Sequence, residues 1–165
     1  MLTTVNITNE IYYIGVNDRE TYLFENLWPL DHGVSYNSYL IADDKTAVFD
    51  TVKNTKMNVF IDKIDSILKD RPLDYLVINH MEPDHSGAIK ALQDKYPDLK
   101  LVGNAKTFEI LENFYGPLKN YQVVKDGDQL SLGKHTLTFY LTPMVHWPET
   151  MMTYESTTGT LFSMD

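Results

Sequence analysis

The chain has 165 residues, enough for one domain with a sizeable hydrophobic core and too few for two ordinary domains. Its 14 basic and 23 acidic side chains give a formal net charge of -9, and no basic run is present that could neutralise the phosphates of a nucleic acid. The absence of cysteine excludes disulfides, thiolate zinc sites and cysteine-ligated iron–sulfur clusters. Any bound metal must therefore be held by nitrogen and oxygen atoms.

The hydrophobic pattern predicts strands first, then alternating strands and helices, then strands again. Alternating and apolar runs predict strands at 5–16, 22–27, 36–42, 46–52, 73–79, 100–102, within 121–141, and at 150–155 and 160–164. Spacings of three and four predict helices at 56–70, 87–95 and through 108–114, the last one stopped near Gly116-Pro117. This order favours an α/β fold in which helices cover one side of a mixed sheet.

The N-terminal sequence shows no targeting signal. Residues 1–7 lack the basic and apolar regions of a signal peptide, and no apolar run approaches the length that spans a bilayer. We therefore expect a cytoplasmic protein that does not enter a membrane.

The most informative stretch is His-Met-Glu-Pro-Asp-His-Ser-Gly at 80–87, directly after the predicted strand 73–79. In an extended chain His80 and Glu82 point to the same side, and Pro83 keeps Glu82 extended. A strand end followed by a helix start can aim four side chains into one small space, which is the arrangement of a two-metal site. The four potential ligands are His80, Glu82, Asp84 and His85.

A polar loop in which Asp84 or Ser86 caps the following helix is the simpler alternative. Capping alone does not account for two histidines and two carboxylates within six residues of a chain that has five histidines in total. The sequence therefore favours a metal site over a capped loop.

The other ligand candidates are weaker when each is taken by itself. His146 lies between two prolines in a loop that follows a predicted strand, and a rigid loop presents a ligand well, although a hydrogen-bonded structural histidine is the alternative. Asp165 alone indicates nothing. We expect His135, beside a predicted hairpin turn, to be solvated, and His32 lies in an irregular loop and is ambiguous.

His-x-Glu-x-Asp-His followed by Ser-Gly resembles the signature of flavodiiron proteins, also called A-type flavoproteins. Three further segments resemble that family and occur in its order: Gly-Val-Ser-Tyr-Asn-Ser-Tyr-Leu-Ile at 33–41, Thr-Pro-Met-Val-His-Trp-Pro at 142–148 and Leu-Phe-Ser-Met-Asp at 161–165. The resemblance covers residues 1–165 as one domain. It implies the metallo-β-lactamase fold, an αββα sandwich that would be incomplete at its C-terminal side and would leave apolar sheet surface uncovered.

The resemblance also implies a diiron centre. The ligands would be His80, Glu82 and His146 for one iron, Asp84 and His85 for the other, and Asp165 as the bridge. The family supplies one more histidine to the second iron from a position downstream of Asp165, so we expect the second iron to be bound more weakly here.

By the same resemblance, the parent protein reduces dioxygen to water or nitric oxide to nitrous oxide. Its electrons would come through FMN on a flavodoxin-like domain that these 165 residues do not include, and a rubredoxin-like protein or a flavoprotein would be the donor. The family forms head-to-tail dimers, so a homo-oligomer is expected. His32 is a candidate for lining the substrate pocket, and a structural role is equally compatible with its position.

Two alternatives remain at this point. Hydrolases of the same fold usually carry histidine where this chain has Glu82, and a zinc-bound hydroxide would be their nucleophile. An anionic oxygen ligand helps a site to hold iron through its ferrous and ferric states, so Glu82 favours redox chemistry. The third possibility is a non-catalytic fragment of a longer protein.

Overall fold

A computed structural model describes residues 4–165, so the part of the N-terminal expectation that concerns residues 1–3 lies outside the described residues. Within these described residues there are fifteen short strands: β1 Val5–Asn6, β2 Ile11–Tyr13, β3 Val16–Asp18, β4 Leu23–Phe24, β5 Trp28–Pro29, β6 Val34–Tyr36, β7 Tyr39–Ala42, β8 Thr46–Phe49, β9 Tyr75–Val77, β10 Lys100–Gly103, β11 Tyr121–Val123, β12 Gln129–Ser131, β13 Thr136–Leu141, β14 Met151–Glu155 and β15 Thr160–Phe162. The helices are α1 Met57–Leu68, preceded by a 3-10 turn at Asn54–Lys56, α2 Pro83–Ser86, α3 Ile89–Lys95 and α4 Ala105–Tyr115.

The helices form where the sequence provides an apolar face and a suitable start or end. In α1, Phe60, Ile64 and Leu68 recur at intervals of four and are buried together. Asn104 caps α4, because its side chain accepts hydrogen bonds from the N–H groups of Lys106 and Thr107. None of the helices in residues 4–165 is both long enough and apolar enough to cross a bilayer.

Seven strands form the central sheet in the order β1-β2-β7-β8-β9-β10-β11. The first four pair in antiparallel fashion, and β8 to β11 are parallel to one another. The carboxyl ends of these parallel strands therefore meet at one edge of the sheet, which is where open α/β sheets usually bind their ligands.

A second sheet, in the order β12-β13-β14-β15, packs face to face against the first. The core between the sheets contains residues from both of them, with Phe49 and Val77 on one side and Phe139 and Phe162 on the other. A separate core lies between the helices and the other face of the seven-stranded sheet. The described residues thus form a helix layer, a sheet and a second sheet, which confirms the expected α/β architecture.

Two parts of the strand prediction were wrong in detail. The strand predicted at 5–16 is divided into β1, β2 and β3. The chain turns between β1 and β2, where the Thr8 hydroxyl accepts hydrogen bonds from the N–H groups of Glu10 and Ile11, and β3 leaves the seven-stranded sheet to pair with β6. The strand predicted at 36–42 is interrupted at 37–38, so that its two parts join different sheets.

The expected solvation of His135 was also wrong. Its side chain is only 2% exposed, with Nε2 lying 3.1 Å from Oε2 of Glu10 and Nδ1 lying 3.1 Å from Oε1 of Glu155. Its own N–H donates to Oδ2 of Asp43. These partners come from three other segments of the chain, so the hairpin position alone could not reveal that His135 is buried.

Candidate metal centre

The six sequence-predicted ligands lie together at the carboxyl ends of the parallel strands, and we call them the ligand cluster. One short segment, from the end of β9 through α2, carries four of the residues. The other two come from the loop between β13 and β14 and from the segment after β15. The members are His80, Glu82, Asp84, His85, His146 and Asp165.

The local backbone explains how four ligands fit within six residues. Glu82 is extended, with φ -56° and ψ 140°, and Pro83 is the first residue of α2, as the restriction on a residue before proline predicts. His80 and Glu82 therefore project from extended chain. Asp84 and His85 follow at once from the single turn of α2, which changes the direction of their side chains.

One half of the ligand cluster is centred on Glu82. Its Oε2 lies 3.1 Å from Nε2 of His80 and 2.9 Å from Nε2 of His146. His80 and Glu82 are buried, whereas the His146 side chain is 53% exposed. Two rings from segments more than sixty residues apart in sequence thus point at one carboxylate oxygen.

The other half is centred on His85. Its Nε2 lies 3.0 Å from Oδ1 of Asp165 and 3.5 Å from Oδ2 of Asp84. Asp165 also approaches the first half, because its Oδ2 lies 4.0 Å from Nε2 of His146. One ligand atom from each of four residues lies within 4.8 Å of the other three: His80, Glu82, His146 and Asp165.

These residues fit a cation better than they fit one another. An ionised carboxylate only accepts hydrogen bonds, so it cannot satisfy an imidazole nitrogen that presents a lone pair. Oδ1 of Asp84 and Nδ1 of His85 are buried and have no hydrogen-bond partner among residues 4–165. Buried polar atoms rarely remain without a partner. Nitrogen and oxygen ligands at these separations suit a divalent metal such as iron or zinc.

The electrostatics of the site also favour a cation. Burial disfavours a charged ring at His85, yet the carboxylates of Asp165, Asp84 and Asp50 outweigh this effect and raise its pKa. Burial together with the nearby Glu82 carboxylate raises the pKa of Asp84. The negative field that holds a proton on His85 would hold a metal ion in the same way.

Asp50 supports the segment that carries His80, and the sequence analysis missed it. It lies just after β8, and its Oδ1 accepts hydrogen bonds from the N–H groups of Asn79, at 2.7 Å, and of His80, at 3.1 Å. Asn79 is held in addition by Thr153, whose hydroxyl donates to its side-chain oxygen. A polar residue ending a buried strand was the available signal, but its contacts depend on the parallel pairing of β8 with β9.

Glu149 is the second residue that the sequence analysis missed. It is almost fully buried, and its Oε1 accepts a hydrogen bond of 2.8 Å from the Met81 N–H and lies 2.9 Å from Nδ1 of His80. Burial opposes its ionisation, but the contacts with His80 and Met81 outweigh this effect and lower its pKa. Its position three residues after His146 was the signal that could have been used.

A cavity of about 420 Å³ opens beside the ligand cluster. Its wall contains Glu82 and Asp84 of the ligand cluster, three aromatic residues and three further polar or charged residues. The three aromatic residues are Phe24, Tyr36 and Tyr115. His32 is exposed and is not among the residues that line this cavity, and its carbonyl oxygen accepts a hydrogen bond from Arg19. A pocket role for His32 remains a prediction.

Residues 34–165 match the family model described as ODP family beta lactamase. The chain belongs to this family. A nitric oxide reductase from Moorella thermoacetica is 41% identical over 156 residues, which is 93% of this chain and 39% of that protein. An anaerobic nitric oxide reductase flavorubredoxin from Vibrio vulnificus is 36% identical, over 98% of this chain and 33% of that protein.

Solved structures of the same type superimpose closely on this member of the family. A flavodiiron protein from Giardia intestinalis superimposes with a TM-score of 0.91 at 31% sequence identity. The superposition covers 98% of this chain and 39% of the Giardia protein. The rubredoxin oxygen:oxidoreductase from Desulfovibrio gigas has a TM-score of 0.88 at 35% identity, covering 93% of this chain and 38% of its own. The resemblance to flavodiiron proteins and to their metallo-β-lactamase-like fold is thereby confirmed. The chain spans about two fifths of the length of these solved structures.

Proposed function

We propose that residues 1–165 are the diiron-binding domain of a flavodiiron oxygen or nitric oxide reductase. The observation that carries the proposal is the convergence of imidazole and carboxylate atoms from three separate segments at the carboxyl edge of the sheet. Four of the six residues place a ligand atom within 4.8 Å of one another. The names of the relatives support the choice of redox chemistry over hydrolysis.

The contacts support a division of the ligand cluster between two ions. His80 and His146 both approach Glu82, which suits one iron, and Asp84 and His85 approach each other, which suits the second. Asp165 lies near both groups and would bridge them. When bound, two ferrous ions would supply the electrons that reduce a diatomic substrate.

The residues around the site would perform the remaining tasks. Glu82 and Asp84 line the cavity, so a small substrate entering there would meet the ligand cluster directly. The rings of Phe24, Tyr36 and Tyr115 make the cavity wall largely apolar, which suits an uncharged diatomic such as dioxygen or nitric oxide. The anionic ligands would lower the net charge of the centre and favour ferric as well as ferrous iron.

The cofactor and partners belong to the same proposal. Relatives named flavorubredoxin and rubredoxin oxygen:oxidoreductase support FMN as the electron carrier and a rubredoxin-like protein as the donor; a flavoprotein donor is the variant expected from the resemblance. A head-to-tail dimer would bring the flavin of one subunit beside Glu82 of the other. A cytoplasmic location is part of the same proposal.

The test begins with reconstitution of the chain with ferrous iron under anaerobic conditions, followed by metal analysis. The rates of dioxygen and nitric oxide consumption are then measured with added reduced FMN as the electron source. We expect iron to bind, the chain alone to be nearly inactive because it has no electron donor, and either gas to be consumed once reduced FMN is added. Glu82→His should reduce the rate of gas consumption at least tenfold, because it replaces the anionic ligand with a neutral one. Glu112→His, an exposed glutamate on α4, is the matched control and should leave consumption unchanged.

The hydrolase alternative predicts a different outcome. A chain that retains zinc alone, consumes neither gas, and hydrolyses a lactone, thioester or β-lactam would support the hydrolase alternative. In that case Glu82→His should increase hydrolysis, because it restores the ligand that hydrolases of this fold usually carry.

A further inference from the structure

Glu149 is a buried carboxylate that lies outside the ligand cluster but touches it. The side chains of Glu149 and His80 are both fully buried. Oε1 of Glu149 lies 2.9 Å from Nδ1 of the His80 ring. The same Oε1 accepts a hydrogen bond from the Met81 N–H at 2.8 Å. A carboxylate is costly to bury, so its retention here needs a reason beyond packing.

The contact determines which ring nitrogen of His80 carries the proton. Oε1 of Glu149 acts as an acceptor towards Met81, and an ionised carboxylate can only accept, so Nδ1 of His80 must be the donor. In a neutral ring Nε2 then presents its lone pair, and it faces Oε2 of Glu82 at 3.1 Å. Two electron-rich atoms at that separation are attracted to each other only through a cation between them.

Glu149 also joins two segments that carry ligands. Its backbone follows His146 by three residues, and its carbonyl oxygen accepts a hydrogen bond from the side chain of Asn104, the residue that caps α4. Its carboxylate reaches across to His80 and Met81 on the segment after β9. Movement of either segment would therefore break a contact made by this one residue.

We propose that Glu149 is a positioning residue that holds His80 with its proton on Nδ1 and its Nε2 lone pair directed at the metal, and that ties this ring to the loop of His146. This inference rests on the proposed function, because it assigns Nε2 of His80 to a metal. Carboxylates that accept from the distal nitrogen of a ligating histidine typically change metal affinity by about 10- to 100-fold when they are removed.

The first experiment is anaerobic titration of the whole chain with cobalt(II), followed by its visible absorption. Glu149→Gln places an amide beside Nδ1 without changing the size of the side chain, and we expect cobalt affinity to fall about 10- to 100-fold with an altered spectrum. Glu155→Gln is the matched control, since Glu155 is an equally buried glutamate at the opposite end of β14. This control should lose thermal stability and retain its cobalt affinity.

Equal losses of affinity in the two variants, or none in Glu149→Gln, would overturn the inference. A second measurement needs no variant: two-bond hydrogen–nitrogen correlation of the histidine rings in the metal-free chain. We expect the His80 ring to be protonated on Nδ1, and protonation on Nε2 alone would overturn the inference even if Glu149→Gln failed to fold. Wild-type chain that binds cobalt but consumes no gas would contradict the redox proposal and leave the role of Glu149 standing.

Discussion

Single residues decide the chemistry of this site. Glu82 provides one oxygen that faces two imidazoles, at 3.1 Å and 2.9 Å, where a hydrolase of this fold would usually have a third ring. Replacing nitrogen with an anionic oxygen changes the charge of the site and hence the oxidation states that it stabilises. Single contacts also decide the environment of His135, outside this site. Its ring is buried between the carboxylates of Glu10 and Glu155, although its position beside a hairpin turn suggested exposure.

Glu155 is expected to make the stability of the protein depend on pH. Burial opposes its ionisation, but hydrogen bonds from the Thr158 hydroxyl and the N–H groups of Thr157 and Thr158 outweigh this and lower its pKa from 4.5 to about 2. A pKa that is lower in the folded state stabilises the fold above pH 4.5, and this contribution is lost as the pH falls from 4.5 towards 2. Its size at neutral pH is on the order of 3 kcal/mol.

The measurement is the free energy of unfolding of wild type and Glu155→Gln between neutral pH and about pH 2. We expect the variant to be less stable at neutral pH and the difference between the two proteins to shrink as acid is added. Glu112→Gln, at an exposed position on α4, should follow the wild-type curve throughout. A gap between wild type and Glu155→Gln that stays constant with pH would show that Glu155 is not the titrating group.

Secondary-structure elements position the ligands through their ends. The single turn of α2 begins directly after Glu82, and Gly87 follows it because a side chain there would not fit. A Cβ on Gly87 would lie 2.6 Å from the backbone nitrogen of Asn54 and 2.9 Å from the carbonyl oxygen of Pro83. The glycine that closes the sequence signature is thus explained by close packing of α2 against the 3-10 turn before α1.

The start of α4 offers a test at this scale. Asn104→Ala removes the side chain that accepts from the N–H groups of Lys106 and Thr107, and we expect a loss of about 1 kcal/mol from the cap alone. It also removes the hydrogen bond to the Glu149 carbonyl oxygen, so metal affinity should fall as well. Chemical denaturation and cobalt titration measure the two effects.

Asn113→Ala is the control for that experiment, because Asn113 is exposed on the same helix and its side chain bonds only to the carbonyl oxygen of Glu109 among residues 4–165. Alanine is a good helix former, so stability should remain within about 0.5 kcal/mol of wild type. An equal loss from Asn104→Ala and Asn113→Ala would contradict the capping role.

At the scale of the whole molecule, the two sheets bring the ligand cluster together. Phe162 of β15 stacks on Phe49 of β8 with ring centroids 3.9 Å apart. Both rings are close in sequence to residues of the site. Phe49 is followed directly by Asp50, and Phe162 lies three positions before Asp165. Packing between the sheets therefore fixes the separation between Asp165 and the ligands that follow β9.

Phe162→Ala should reduce stability by about 3–5 kcal/mol, because it leaves a cavity between the sheets. It should also weaken metal binding, since the segment that carries Asp165 loses its anchor. Thermal unfolding and cobalt titration measure the two effects.

Leu161→Ala is the matched control, because Leu161 is the neighbour of Phe162 on β15 and is 53% exposed on the outer face of the second sheet. This variant should behave like wild type within about 0.5 kcal/mol. Normal metal affinity in a folded Phe162→Ala protein would show that Asp165 is positioned by other contacts.

The sequence by itself determined the order of the elements, the α/β class and the residues that could bind metal. Periodicity of apolar residues and the geometry forced by Pro83 are local properties, so they can be recognised in the chain. Segments at 33–41, 80–87, 142–148 and 161–165 likewise indicated flavodiiron proteins, and the similarity to solved flavodiiron structures confirmed this.

Only the tertiary structure decided which of these residues meet. Glu149 reaches His80, and Glu155 reaches His135, through pairing and packing of strands that are far apart in sequence. The separation of β3 from the rest of the strand predicted at 5–16 depends in the same way on tertiary structure, because β3 pairs with β6 in a different sheet. Such contacts are not encoded by local pattern, because a hydrogen-bond partner is chosen by proximity in the folded chain.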